Sequence, residues 1–505
     1  MITFARRPFM AAVALSLALS GAAFAQPRSL NDEVASAVNA TKLGSTQLGI
    51  SLIDLETGDE LADMHADVPL TPASNMKLLT TGAAMFVLGP EFTFKTELIR
   101  DGDRIVVRGS GDPALGDPLV LEDSKPKLTV ADVMNALAGA VAKSGLTEVR
   151  EVIIDDRVFD RELVHPSWPV TQLDRPYCAQ VSGLNFHANV VSFFPGPSAQ
   201  GPGTPPIFST EPESPWLRVE VRARTVVDGK NTAWITREAG EDRFALRGDV
   251  RFQTQQPIDI TLQDPAHFFG RLMAHHLTKA GVRVAQGQSG ANVRLALTEE
   301  QLTGGRTLAV IFTPLADVLH RCNADSENLY AEALLKRLGN AVTKDAGSWT
   351  NGAAVMRMVI GQKLGPRYAA ATTISDGSGL SRGNQVAPAT FTKWLGELAK
   401  DSKTCDIFTE SLAKPGSGTL RNRFKDGKLK NEVWAKSGYI DGVRCLSGYV
   451  LNPSTGRRVA FSVMVNEIKN DEQTRDALKL HEAVVKIADQ WLTKKEPAET
   501  SRVGG

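Results

Sequence analysis

Strand-like segments stand at both ends of this chain with helix-like segments between them, and that separation constrains the fold more than any single motif. At the front, LGISLIDLETGDELADM, Leu48 to Met64, alternates apolar and polar residues around Glu56-Thr57-Gly58-Asp59, the pattern of two antiparallel strands and their turn. At the back, VWAKSGY, RCLSGYVLN and RRVAFSVMVNE read as three further strands, followed by a helix from about Asp471 to Lys494. An isolated hairpin is barely stable in water, so the economical arrangement puts both groups in one sheet. Whatever lies between is then either a helix packed on that sheet or an insertion.

The middle of the chain supplies both. From Phe92 to about Leu262 the readable segments are short and strand-like, among them FTFKTEL, RIVVRG, VREVIID, WLRVEVRART, RFALRGDVRF and PIDITL. One helix-like stretch, Val130 to Lys143, interrupts them, and Pro195 to Pro206 carries five prolines in twelve residues and reads as an exposed loop. After Asp264 the helical pattern returns in AHFFGRLMAHHLTKAG, LADVLHRC, ENLYAEALLKRLGN and PATFTKWLGELAKD. The expectation is an α+β protein: an antiparallel sheet flanked by helices, interrupted by a large, mainly β insertion that forms one or two extra domains. The boundaries drawn from these shifts are 26–97 and 296–495 for the two parts of the main domain, 98–295 for the insertion, and 496–505 for a flexible tail.

The first 25 residues carry Arg6 and Arg7, an apolar run from Met10 to Leu19, and Ala23-Phe24-Ala25 before Gln26, the layout of a cleavable export signal. The run is shorter than the ~20 residues a bilayer span needs, so no transmembrane segment is expected and the mature chain is placed in the periplasm. With 57 Lys+Arg against 57 Asp+Glu in 505 residues, the chain has no cationic excess with which to capture nucleic acid. The four cysteines, at 178, 322, 405 and 445, are free to oxidise in an exported protein, and all three pairing schemes remain open. No CxxC and no Cys/His cluster is present, and His275 and His276 point about 100° apart on a helix, so neither a metal nor a cofactor is expected.

Three short patterns carry the chemistry. Ser74-Asn75-Met76-Lys77 opens a near-continuous apolar run closed by Gly89-Pro90, a buried helix of about four turns on this reading. One helical turn puts the Ser74 hydroxyl and the Lys77 amine on one face, and burial that lowers a lysine's pKa lets its amine take the proton of an attacking serine. Ser326-Glu327-Asn328 stands before LYAEALLKRLG, where Ser326 is either a helix cap or a proton relay, with the Asn328 amide steadying Lys77 or substrate. Lys436-Ser437-Gly438 lies in a strand, where cation and hydroxyl can address a carboxylate and the glycine lets a substrate backbone approach. Each pattern recurs by chance, at Ser124 to Lys127, Ser411 to Lys414, Ser29 to Asn31 and Lys143 to Gly145. Only the set at 74, 326 and 436 pairs a buried helix start, a second helix start and a strand in that order.

That trio is the signature of penicillin-binding proteins and class A β-lactamases. The chain resembles the class C low-molecular-mass penicillin-binding proteins, the penicillin-binding protein 4 type of D-alanyl-D-alanine carboxypeptidase and endopeptidase. The spacing matches that type, with 252 residues from Ser74 to Ser326 and 110 from Ser326 to Lys436, as do GSGDPALG, VIIDDRVF, SENLYAEALLK, DGSGLSRGN and PGSGTLRNRF. The resemblance implies a β-lactamase/transpeptidase-like catalytic domain with Ser74 as acylated nucleophile, Lys77 as base, Ser326 as relay and Asn328 as its companion. It also implies that Lys436 and Ser437 hold the substrate's terminal carboxylate beside Gly438, that the backbone N–H groups of Ser74 and Tyr439 form an oxyanion hole, and that Arg382 lines the substrate pocket. The implied partners are peptidoglycan stem peptides and β-lactam antibiotics, and a homodimer is compatible with it. Two departures stand out: Ser437 replaces the commoner threonine, and Tyr439-Ile440-Asp441 differs from the small or amide residues expected beside the pocket.

Overall fold

The two ends of the chain do share a sheet. In the computed structural model, which describes residues 29–238, 240–287 and 290–494, five antiparallel strands run in the order Glu60–Met64, Gln47–Asp54, Arg458–Asn466, Val443–Leu451, Glu432–Ile440. Gln47 faces Asn466 and Asp54 faces Val459 across the seam that joins front to back. The export-signal segment and residues 496–505 lie outside the described residues, and among those described no helix is long and apolar enough to cross a membrane.

Both faces of this sheet are covered, and period-2 alternation sorts its side chains. Phe461, Val463 and Val465 join Ile50, Leu52 and Leu446 against Leu480, Val484 and Ala488 of the helix Asp471–Lys494. Their neighbours Ala460 and Met464 face the opposite way, into a larger core with Tyr449, Trp394 and Leu395. That second core holds the helix Met76–Leu88, buried from Met76 to Met85, between the helices Asn328–Thr343, Trp349–Leu364 and Leu315–Asn323. A helix apolar on every side is stable only inside such a bundle. The serine and lysine at its start are thereby held by a rigid element.

The interrupting segment has its own sheet, in the order Val293–Leu295, Glu151–Asp155, Arg104–Arg108, Thr93–Asp101, Arg306–Pro314. Strands outnumber helices among its described residues, but they are not all antiparallel. Arg104–Arg108 and Glu151–Asp155 are parallel, joined by a crossover that contains the helix Val130–Lys143, and the helix Pro265–Lys279 packs on the same face. Small sheets built from Val190–Gly196, Ile207–Glu211 and Ile258–Thr261, and from Arg218–Val221, Trp234–Arg237 and Arg243–Arg247, enclose a separate core around Phe193, Phe244 and Leu246. The strand Arg306–Pro314 pairs with Thr93–Asp101, so the chain enters and leaves this region on adjacent antiparallel strands. All four cysteines are buried free thiols.

Candidate active site

Ser74 lies in a single 3-10 turn, Ala73–Asn75, immediately before the helix Met76–Leu88 rather than inside it. Ala73 has φ of 46°, a left-handed conformation that costs an L-residue roughly 1–2 kcal/mol and persists only where the surroundings fix it. They do so from two sides. Asn466 bonds both backbone groups of Thr71, accepting from its N–H at 2.8 Å and donating to its carbonyl at 3.1 Å, and the Asn75 amide donates to Ser447 Oγ at 2.6 Å. From above, Gly379, at φ of 85°, sits so close that a side chain there would overlap the Ala73 carbonyl.

Lys77 is wholly buried. Its Nζ stands 2.6 Å from Asn328 Oδ1, 3.0 Å from the Ser378 carbonyl and 3.2 Å from Ser74 Oγ. The orientation of the Asn328 amide is fixed, because its nitrogen donates to the Tyr177 carbonyl at 2.8 Å. Two of the three Lys77 partners are therefore acceptors only. A neutral amine satisfies them with its two N–H bonds and is left with a lone pair facing the Ser74 hydroxyl. Burial drives the amine in that direction: it pulls the Lys77 pKa below its ordinary 10.5, opposed by the nearby carboxyl groups of Glu332 and Asp376.

The Ser378 carbonyl reaches Lys77 because two buried carboxylates shape its loop. Glu332 accepts from the N–H groups of Gly377 at 2.9 Å and Ser378 at 2.8 Å, and from Trp349 Nε1 at 2.8 Å. Asp376 accepts from the N–H groups of Gly379 and Ser381, from the Asn384 amide and from Trp168 Nε1, with donor distances of 2.6–3.0 Å. Burial first, and Asp376 second, push Glu332 up to about 7. Neither carboxylate was singled out in the sequence as a site residue, although both lie inside the quoted segments SENLYAEALLK and DGSGLSRGN.

Ser326 does not cap its helix: Glu327 occupies the cap position without a side-chain capping bond. Instead Ser326, at φ of 71°, accepts a hydrogen bond of 2.8 Å from the buried Lys436 Nζ, which also donates to the Ser437 carbonyl at 2.9 Å. Burial and the nearby Lys77 hold Lys436 well below 10.5. The run Ser326-Glu327-Asn328 thus connects two groups, Lys436 with Ser326 and Lys77 with Asn328 and Ser74. The three polar groups Ser74, Ser326 and Ser437 are partly exposed while both amines are sealed from water.

Glu432–Ile440 is an edge strand. Because the Ser437 carbonyl points outward to Lys436, the N–H of Tyr439, two residues on, addresses the same open edge. Gly438 lets that edge lie against the Ser74 turn: a Cβ here would stand 2.7 Å from the Pro72 carbonyl and 3.1 Å from Asn75 Oδ1. Gly438→Ala is expected to push strand and turn apart and to lower acylation roughly 100-fold, with the fold intact by circular dichroism. An unchanged penicillin labelling rate would disprove the tight fit.

Tyr439 is exposed, with the Arg444 guanidinium 3.9 Å from its ring centre. Arg382 stands at the rim and not among the reacting groups. It donates to the Asp441 carbonyl at 2.7 Å and lies 3.8 Å from the Asp441 carboxylate, so it ties the loop after Asp376 to the end of the edge strand.

The family model described as D-Ala-D-Ala carboxypeptidase 3 (S13) matches residues 30–490. A D-alanyl-D-alanine carboxypeptidase of Actinomadura sp. (strain R39) is 31% identical over 483 residues, covering 90% of this chain and 84% of that protein. D-alanyl-D-alanine carboxypeptidase DacB of Haemophilus influenzae is 23% identical over 462 residues, covering 90% and 92%. A crystal structure of penicillin binding protein 4 from Haemophilus influenzae superposes with a TM-score of 0.70 at 21% identity, over 90% of this chain and 99% of that one. A second structure of that protein, complexed with a β-lactam, gives 0.67 at 22%, again over 90% and 99%. The likeness shows a shared α+β, β-lactamase/transpeptidase-like fold. With a serine and a buried amine at its centre and a family match along nearly its whole length, the chain belongs to the D-Ala-D-Ala carboxypeptidase 3 (S13) family of serine-type carboxypeptidases.

Proposed function

We propose that Ser74 attacks the carbonyl of the penultimate D-alanine of a peptidoglycan stem peptide, with Lys77 taking its proton. The observation that carries this is the placement of the buried Lys77 Nζ 3.2 Å from Ser74 Oγ, with the acceptors Asn328 Oδ1 and the Ser378 carbonyl on its other sides. As the tetrahedral intermediate forms, the N–H groups of Ser74 and Tyr439 stabilise the oxyanion. Ser326 passes the proton to the leaving amine, and Lys436 with Ser437 holds the terminal carboxylate of the departing D-alanine. Water then attacks the Ser74 ester, with Lys77 again as base, and releases the trimmed peptide.

Cleavage of a crosslink uses the same steps with a longer amine as leaving group, so endopeptidase action belongs to this reading. A β-lactam would acylate the same serine, as the ligand in the Haemophilus influenzae structure suggests by analogy. Export by residues 1–25 would bring the enzyme to its substrate in the periplasm. The pairing of Thr93–Asp101 with Arg306–Pro314 favours an insertion bounded by those two strands over one cut at 98 and 295. Digestion of purified crosslinked wall fragments, with products identified by mass, tests the substrate. Loss of single alanines supports carboxypeptidase action and split dimers support endopeptidase action; neither product would refute the proposal.

A further inference from the structure

A buried ion pair outside the reacting groups bears directly on the geometry of Ser326. Asp117, from the inserted segment, is 1% exposed. Its Oδ1 accepts from the Leu119 N–H at 2.9 Å, and its Oδ2 takes Arg321 Nε at 3.1 Å, Arg321 Nη2 at 3.0 Å and the Tyr330 hydroxyl at 2.6 Å. Arg321 lies in the last turn of the helix Leu315–Asn323, and its remaining arm, Nη1, donates to Asp325 Oδ2 at 2.7 Å. Its backbone carbonyl accepts from the Glu327 N–H at 3.3 Å, and its guanidinium lies 3.9 Å from the Glu327 carboxylate.

Both neighbours of Ser326 are therefore tied to one arginine, and the arginine is immobilised by a carboxylate from another part of the chain. Ser326 itself holds φ of 71°, a conformation that glycine adopts freely and serine does not. Left unrestrained, this turn would relax and carry the hydroxyl away from Lys436. A guanidinium suits the task because three separate nitrogens in one rigid plane reach Asp117 and Asp325, a spread of donors that the single nitrogen of a lysine lacks.

We propose that Asp117 and Arg321 are positioning residues for Ser326, so that the inserted segment sets the geometry of proton relay in the main domain. This rests on Ser326 being the relay. The test is the rate of covalent attachment of a penicillin to Asp117→Asn, Arg321→Lys and Ser326→Ala, and to each of the first two combined with Ser326→Ala, with thermal unfolding recorded for all. Asp117→Asn and Arg321→Lys are each expected to slow acylation ~10–100-fold, the cost of a misplaced catalytic group. In the Ser326→Ala background each is expected to cost less than about twofold more, since coupled residues are not additive. Arg321→Lys keeps the buried charge and carries the test if Asp117→Asn does not fold. An equal loss with and without Ser326, or no loss in either single variant, overturns the inference while leaving the relay reading intact. Undiminished acylation in Ser326→Ala overturns the relay reading and this inference with it.

Discussion

Ser74→Ala is expected to lower turnover of a D-Ala-D-Ala peptide by roughly a millionfold, the scale seen when a serine hydrolase loses its nucleophile. It is also expected to abolish the mass increase on exposure to penicillin. The loss should come without a loss of fold. The Ser74 hydroxyl is partly exposed and hydrogen-bonded to Lys77, whose amine keeps the Asn328 and Ser378 acceptors. Thermal unfolding of the variant is therefore expected near that of the parent, which separates a chemical role from a structural one. Retention of covalent labelling would transfer the nucleophile to another residue.

Lys77→Met has the second largest expected effect. Removing a general base costs ~10²–10⁴-fold. The shape of the pH profile identifies the group. Because burial lowers the Lys77 pKa from 10.5, the neutral amine becomes populated as pH rises through that lowered value, and acylation by a penicillin is expected to climb with it. In Lys77→Met this limb should be absent when rates are compared between roughly pH 5 and 9. A methionine variant that keeps the parent's profile would show that another group takes the proton.

The same substitution carries a stability prediction. Between the lowered folded value and 10.5, the unfolded chain binds a proton at this lysine that the native site does not, so this group's contribution to stability rises with pH across that window. Methionine removes the titrating group but leaves Asn328 Oδ1 and the Ser378 carbonyl without their donor, at roughly 1–3 kcal/mol for each unsatisfied group. Lys77→Met is therefore expected to be less stable than the parent, by a margin in denaturant midpoint that widens as pH rises toward 10.5. A margin that stays constant with pH would mean that Lys77 does not titrate in this window.

Ser74, Lys77, Ser326, Asn328 and Lys436 were readable because each sits in a short pattern at a recognisable place: a buried helix start, a second helix start and a strand. Hydrogen bonds link Lys77 to Ser74 and Asn328, and Lys436 to Ser326. The joining of front and back strands followed from the instability of an isolated hairpin. The strand Arg306–Pro314 was not read, and its side chains explain why. Most are partly or largely exposed, so it lacks the alternation that marks a strand buried on one face. Arg382 was placed in the pocket by resemblance, and the structure adds its hydrogen bond to Asp441, one of the residues in which this chain departs from the expected pattern.

What the sequence by itself determined is the inventory of reacting groups and the order in which the chain presents them, since these depend on side-chain type and local periodicity. The tertiary structure decided the state of those groups. The left-handed turns at Ala73 and Ser326, the acceptors supplied by the Ser378 and Tyr177 carbonyls, and the carboxylates of Glu332, Asp376 and Asp117 all come from segments remote in the chain. Every residue carries a carbonyl, and a carboxylate has the same letter whether solvated or buried. Only folding, by excluding water and fixing distances, gives two lysines of the same letter their different partners.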